Sequence, residues 1–156
     1  MVIKNKQKIN TKGQSLFEII FAITISAIVL VGILSVAAFS VRNATFSRNK
    51  SLANKYAQEV GEWLKQQKSN ASSWDAFYDI ALPSQPDPDS WCFVTLSWNF
   101  HRTCTETTDY ISGLFLRNVT VSDQDSGKGL QFTVTVTWTD QIGIHTTETT
   151  TVLTNW

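Results

Sequence analysis

The sequence predicts an α+β protein in which a long N-terminal membrane-spanning α-helix packs by its outer half on a small antiparallel β-sheet head. Three observations carry this. Uncharged residues run without interruption from Ile19 to Val41, an amphipathic stripe without a helix breaker follows, and the C-terminal third alternates apolar residues with threonine. At 156 residues the chain holds one compact domain of about 100 to 150 residues plus a tail or stem.

The apolar run comes first. Of its 23 residues, 18 are apolar and the rest are Thr24, Ser26, Gly32, Ser35 and Ser40. At about 1.5 Å of rise per residue a helix of this length covers roughly 35 Å, enough for a hydrocarbon core of about 30 Å. Lys4, Lys6, Lys8 and Lys12 all precede the first acid, Glu18, and orient the N-terminus toward the cytoplasm. Beyond it, Phe46, Ala53, Tyr56, Ala57, Val60, Trp63 and Leu64 recur at three- and four-residue spacing, one face of a helix that continues to about Lys68. Asn70-Ala71-Ser72-Ser73 ends that helix, and Ser73 is placed to cap a short one through Trp74, Phe77 and Ile80. Pro83, Pro86 and Pro88 mark a loop.

The remainder reads as strand. Leu130, Phe132, Val134, Val136 and Trp138 alternate with Gln131, Thr133, Thr135, Thr137 and Thr139, and Cys92, Val94, Leu96, Trp98 and Phe100 alternate in the same way. Two further strands are expected near Leu114 to Ser122 and Ile144 to Leu153. The connections are Asp123 to Gly129 and Asp140 to Gly143, and the Thr-rich stretch from Thr146 to Thr151 is expected on the strand surface.

Charge and cysteine usage narrow the function. The net charge is zero, but Arg42 to Lys68 holds six basic residues against Glu59 and Glu62, whereas Asn70 to Trp156 holds three against ten acids. An acidic head repels phosphate backbones, which argues against direct nucleic-acid binding. Cys92 and Cys104, with 11 residues between them, both follow the apolar segment, so with the lysines inside they face an oxidising compartment and are expected to form a disulfide.

No catalytic set holds together, and no cofactor is expected. His101 and His145 are the only histidines, and no nucleophile elbow places a serine beside either. Cys92, His101 and Cys104 lack the paired spacing and fourth ligand of a zinc site. Asp123, Asp125 and Gly127 resemble the start of a calcium loop, but the glutamate that completes one is missing, so an acidic hairpin tip explains them more simply.

The apolar segment admits three readings. A secretory signal cut near Val36-Ala37-Ala38 conflicts with the length of the run and with the carboxylate at its head. A plain signal anchor on an extracytoplasmic binding domain leaves Gly13 and Glu18 unexplained. The third reading uses both. The stretch Lys12-Gly13-Gln14-Ser15-Leu16-Phe17-Glu18-Ile19-Ile20 resembles the prepilin peptidase site of type IV pilins and pseudopilins. The resemblance covers about residues 1–42. It implies a basic leader 1–13 cleaved between Gly13 and Gln14, a transmembrane helix 14–42, a helical stem 43–68 and an extracytoplasmic head 69–156. It makes Gln14 the new N-terminus and a candidate for N-methylation, although many members carry Phe or Met there. It gives Glu18 the place of the family's fifth-residue glutamate, which pairs with the N-terminal amine of a neighbouring subunit. A membrane-helix proline, frequent in the family, is missing, since Pro83 is the first proline. The head is more loosely similar to minor pilins of the pilus-modification type, on the closing Thr-rich strand that ends Thr154-Asn155-Trp156. The implied partners are prepilin peptidase, other pilin subunits, the inner-membrane assembly platform and membrane lipid. The implied location is the cytoplasmic membrane as a single-pass precursor, then a cell-surface filament or pseudopilus.

Overall fold

The structure, a computed structural model, describes residues 14–82, 90–99, 102–105 and 107–155. Helix α1 (Gln14–Asn70) is followed by α2 (Trp74–Ala81), strand β1 (Ser90–Cys92), a single 3-10 turn (Thr107–Asp109), and strands β2 (Phe115–Gln124), β3 (Gly129–Thr139) and β4 (Ile144–Thr154). The chain forms two compact units divided between Thr45 and Phe46. The described part of the first is helix alone. The fold is α+β, with a long apolar N-terminal helix and a four-stranded antiparallel sheet.

The second unit is built on the stripe read from the sequence. Ala53, Ala57, Val60 and Leu64 of α1 are fully buried, and Phe46, Tyr56 and Trp63 are partly buried beside them. They meet the inner face of a meander ordered β1-β2-β3-β4, formed by Phe115, Val119, Val121, Leu130, Phe132, Val134, Val136, Trp138 and Leu153. Burying each Val, Leu or Phe contributes roughly 1.5 to 3 kcal/mol by removing apolar surface from water, so this shared face holds the helix to the sheet. A small residue lets α1 and β4 approach: Gly61 has Thr151 Oγ1 3.4 Å from where a Cβ would stand.

The β2–β3 connection is shorter than expected. Pairing continues to Gln124↔Gly129 and leaves Asp125 to Lys128 as the turn, with positive φ at Asp125, Ser126 and Gly127. The Asp123 carboxylate accepts from the Gly127 N–H at 2.8 Å, holding that left-handed run in place. The β3–β4 turn is the expected one, closed by Asp140 N–H donating to Gly143 O at 3.0 Å.

The strand expected from Cys92 through Phe100 is corrected: β1 stops at Cys92. Phe93 N–H makes one more bond, to Arg117 O at 2.9 Å, and the chain then turns, with Ser97 N–H donating to Thr95 O. The turn brings Trp98 back against Trp91, Trp63 and Phe93 at ring separations of 4.8, 5.0 and 5.5 Å. Three aromatic neighbours outweigh a few more ladder bonds at the sheet edge. Phe100 lies outside the described residues.

Ser73 caps α2 as expected, its hydroxyl accepting from Ala76 N–H at 3.2 Å. The inner face of α2 is Phe77 and Ala81, while Ile80 points outward. Pro83, Pro86 and Pro88 lie outside the described residues.

Candidate functional site

Of the residues expected to serve cleavage and assembly, Gly13 lies outside the described residues, and Gln14 is the first residue of α1. Glu18 stands one turn further on and is exposed, and among the described residues no cation pairs with it. From Leu16 the helix is long and apolar enough to cross a membrane, and its most apolar window is entirely unburied. Two of its hydroxyls are satisfied internally: Thr24 Oγ1 donates to Ile20 O at 2.8 Å and Ser35 Oγ to Val31 O at 2.9 Å. Internal satisfaction is what a polar group in hydrocarbon requires.

A shallow dent over Gly32 is bounded by Val29, Ile33, Val36, Ala37 and Ser40. Fourteen residues separate Gly32 from Glu18, and at about 100° per residue the two fall within roughly 40° of one another around the helix. The carboxylate and the thinnest point of the apolar segment therefore share a face. This face has nothing packed on it among the described residues.

In the second unit Cys92 and Cys104 form the expected disulfide, with Cα atoms 4.9 Å apart. Asn118 explains the geometry that spacing alone left open. It sits opposite Cys92 in the β1–β2 register, and its Oδ1 accepts from Cys104 N–H at 2.6 Å, so one residue positions both partners. Asp109 joins the two sulfurs in a tight group. The group is not a metal site: both sulfurs are spent in the disulfide, and the Asp109 carboxylate takes both guanidinium nitrogens of Arg102 at 2.7 Å and the Thr105 N–H at 2.9 Å. His101 lies outside the described residues. Of the calcium-like pair, Asp123 accepts from the Gly127 N–H, and among the described residues neither it nor Asp125 belongs to a group of three metal-ligating side chains.

Sequence reasoning missed Arg117. It occupies an inward position of β2, between Phe115 and Val119, and is buried. Its Nε donates to Phe93 O at 2.9 Å, its Nη1 to Tyr56 O at 3.0 Å, and Glu59 Oε2 lies 3.6 Å away. Burial pulls the guanidinium below its ordinary pKa, and Glu59 and Tyr56 oppose that pull. The signal was present in the sequence: a basic residue at the apolar phase of an alternating strand.

A second polar cluster surrounds the β3–β4 turn. His145 packs against both Phe46 and Trp138, and its Nε2 is 2.9 Å from Asp140 Oδ1. Asp140 Oδ1 also accepts from the Ile142 and Gly143 N–H groups. His145, and then these main-chain donors, hold the Asp140 carboxyl below the usual carboxylate range.

The threonine stretch is divided between two faces. Thr147, Thr149 and Thr151 turn toward the helix, with Thr147 Oγ1 donating to Asn54 Oδ1 at 2.6 Å, while Thr146 and Thr150 stay exposed.

Compared with family models, with curated proteins and with solved structures, the chain has no match.

Proposed function

We propose that the chain is a structural subunit of a type IV pilus or related filament, processed by prepilin peptidase and assembled through its N-terminal helix. The observation that carries this reading is one helix of two characters. From Leu16 to Val41 α1 is unburied and headed by Glu18, and from Phe46 it is the core helix of an antiparallel α+β head. A soluble protein has no use for the first part, and a plain anchor has no use for the carboxylate.

In this reading the peptidase cuts between Gly13 and Gln14 and releases a primary amine on Gln14. Membrane lipid and the assembly platform hold the subunit until the Glu18 carboxylate of one copy meets the Gln14 amine of the next. A carboxylate at the edge of hydrocarbon is costly alone, and pairing removes that cost for both groups. The shared face of Glu18 and the Gly32 dent supports close approach of a neighbouring helix. The head then lies outside the cytoplasm, where its disulfide persists. The reading assigns the chain no catalytic role.

N-terminal sequencing of protein extracted from membranes tests this. A mature chain beginning at Gln14 supports the proposal. An intact leader instead identifies a signal-anchored binding domain that does not polymerise, and an N-terminus just after Ala38 identifies a secreted protein.

A further inference from the structure

The β3–β4 hairpin ends in an aliphatic pair that the fold does not need. Among the described residues from Phe46 onward, Ile142 is 69% exposed and Ile144 74%, more than any other large hydrophobic residue there. The turn takes its geometry from elsewhere, with Asp140 Oδ1 accepting from two main-chain N–H groups and Gly143 supplying a φ of 146°. Turn positions of this kind ordinarily carry polar residues. The turn at the opposite end of the sheet does so, with Asp125, Ser126 and Lys128 all exposed.

The root of the hairpin is tied to one level of α1. The Phe46 ring lies 5.0 Å from His145 and 6.2 Å from Trp138. Further along, Thr147 bonds Asn54, and Lys68 Nζ donates to Thr154 O at 2.7 Å, so β4 follows α1 upward from Phe46. Phe46 is five residues beyond Val41, the last of the uncharged stretch. That is about 7.5 Å as helix, and no more than about 18 Å fully extended. The polar layer of one leaflet is roughly 5 to 8 Å deep. Chain connectivity therefore holds Phe46, against which the hairpin root packs, within about 18 Å of the end of the uncharged stretch. Arg42, Arg48 and Lys50, all exposed on the same stretch of α1, suit anionic headgroups, and the one acid of the turn is engaged by its own backbone and by His145.

We infer that Ile142 and Ile144 form a lipid contact, inserting the hairpin tip at the headgroup–acyl boundary of the membrane that holds α1. The inference rests on α1 spanning that membrane. Aliphatic side chains at this depth leave water without crossing the bilayer, while the basic residues beside them stay hydrated. The contact would restrain the unassembled subunit and would be given up on leaving the membrane.

Spin labels on three variants of the full chain, Leu30→Cys, Ile142→Cys and Ser126→Cys, test this with the native disulfide kept closed. Each is reconstituted in vesicles of phosphatidylcholine and phosphatidylglycerol, and collisions with oxygen and with a water-soluble nickel chelate are compared. The expected result is a deep signal at Leu30, an aqueous one at Ser126, and an oxygen-to-nickel ratio at Ile142 several-fold above that at Ser126, unchanged when the protein is diluted in lipid. An Ile142 label that matches Ser126 while Leu30 reads deep overturns the contact and leaves the span standing. An aqueous Leu30 overturns the span and the contact together. Shielding at Ile142 that disappears on dilution assigns the patch to a second copy and overturns the lipid assignment.

Discussion

Arg117 of β2 donates from its guanidinium Nη1 to the main-chain carbonyl of Tyr56 in α1, at 3.0 Å. A strand side chain thus bonds the backbone of the helix lying on it, and the same group reaches Phe93 O on the other side. The apolar face supplies adhesion between helix and sheet without direction. Arg117 supplies direction, because its planar fork meets both carbonyls in one orientation only.

Arg117→Ala should therefore destabilise the head by roughly 2 to 4 kcal/mol, since it strands two carbonyls and leaves Glu59 without its buried partner. Arg117→Lys should recover less than half of the loss, because one ammonium cannot span both acceptors. Chemical denaturation would check this through the midpoint at constant slope. A shift under about 0.5 kcal/mol for Arg117→Ala would remove Arg117 from the structural account.

Opening the Cys92–Cys104 bridge should cost about 2 to 3 kcal/mol by the chain-entropy argument for a short loop. Cys104→Ser should lower the thermal midpoint, while Asn118→Ala should leave the bridge formed but loosen its loop. Mass spectrometry of unreduced protein should find the two cysteine peptides linked. Two freely alkylated thiols in protein taken from cells would contradict the pairing.

Asp140 gives a pH dependence with a definite sign. Its carboxyl is held below the usual range when folded, so its contribution is present above the unfolded-state value and is lost as pH falls through the folded one. The stability gap between wild type and Asp140→Asn should narrow as pH falls below about 4. A gap that stays constant down to pH 2 would mean that the charge does not matter and only the turn hydrogen bonds do.

Glu18→Ala should permit membrane insertion and leader removal yet reduce entry into filaments. Insertion becomes easier without a carboxylate at the bilayer edge, while the neighbour's amine loses its counter-ion where an unpaired charge costs several kcal/mol. A carboxylate that served only the helix N-terminus would be worth about 0.3 to 1 kcal/mol, too little to block assembly. Immunoblots of sheared filaments against the membrane pool measure incorporation. Wild-type incorporation would reject the pairing mechanism and leave the fold untouched.

The sequence by itself determined the elements whose signal is local. The uncharged run, the stripe from Phe46 to Leu64, the Ser73 cap and the alternation of β3 each arise within a few residues, because periodicity reports which side of an element leaves water. The Gly13-to-Glu18 spacing is likewise a local pattern in the sequence, whereas the group proposed to meet Glu18 belongs to another copy and cannot be read from one chain. Tertiary structure alone decided where β1 ends, which threonines of β4 turn inward, and that Arg117 is a core residue. Cys92 through Phe100 alternates as well as β3 does, yet the chain leaves the sheet because Trp63, 35 residues earlier in the chain, offers Trp98 a better surface than the sheet edge. Arg117 is tolerated inside only because Tyr56, Glu59 and Phe93 converge on it from two other segments. Such choices depend on partners distant in sequence, and a periodicity carries no information about them.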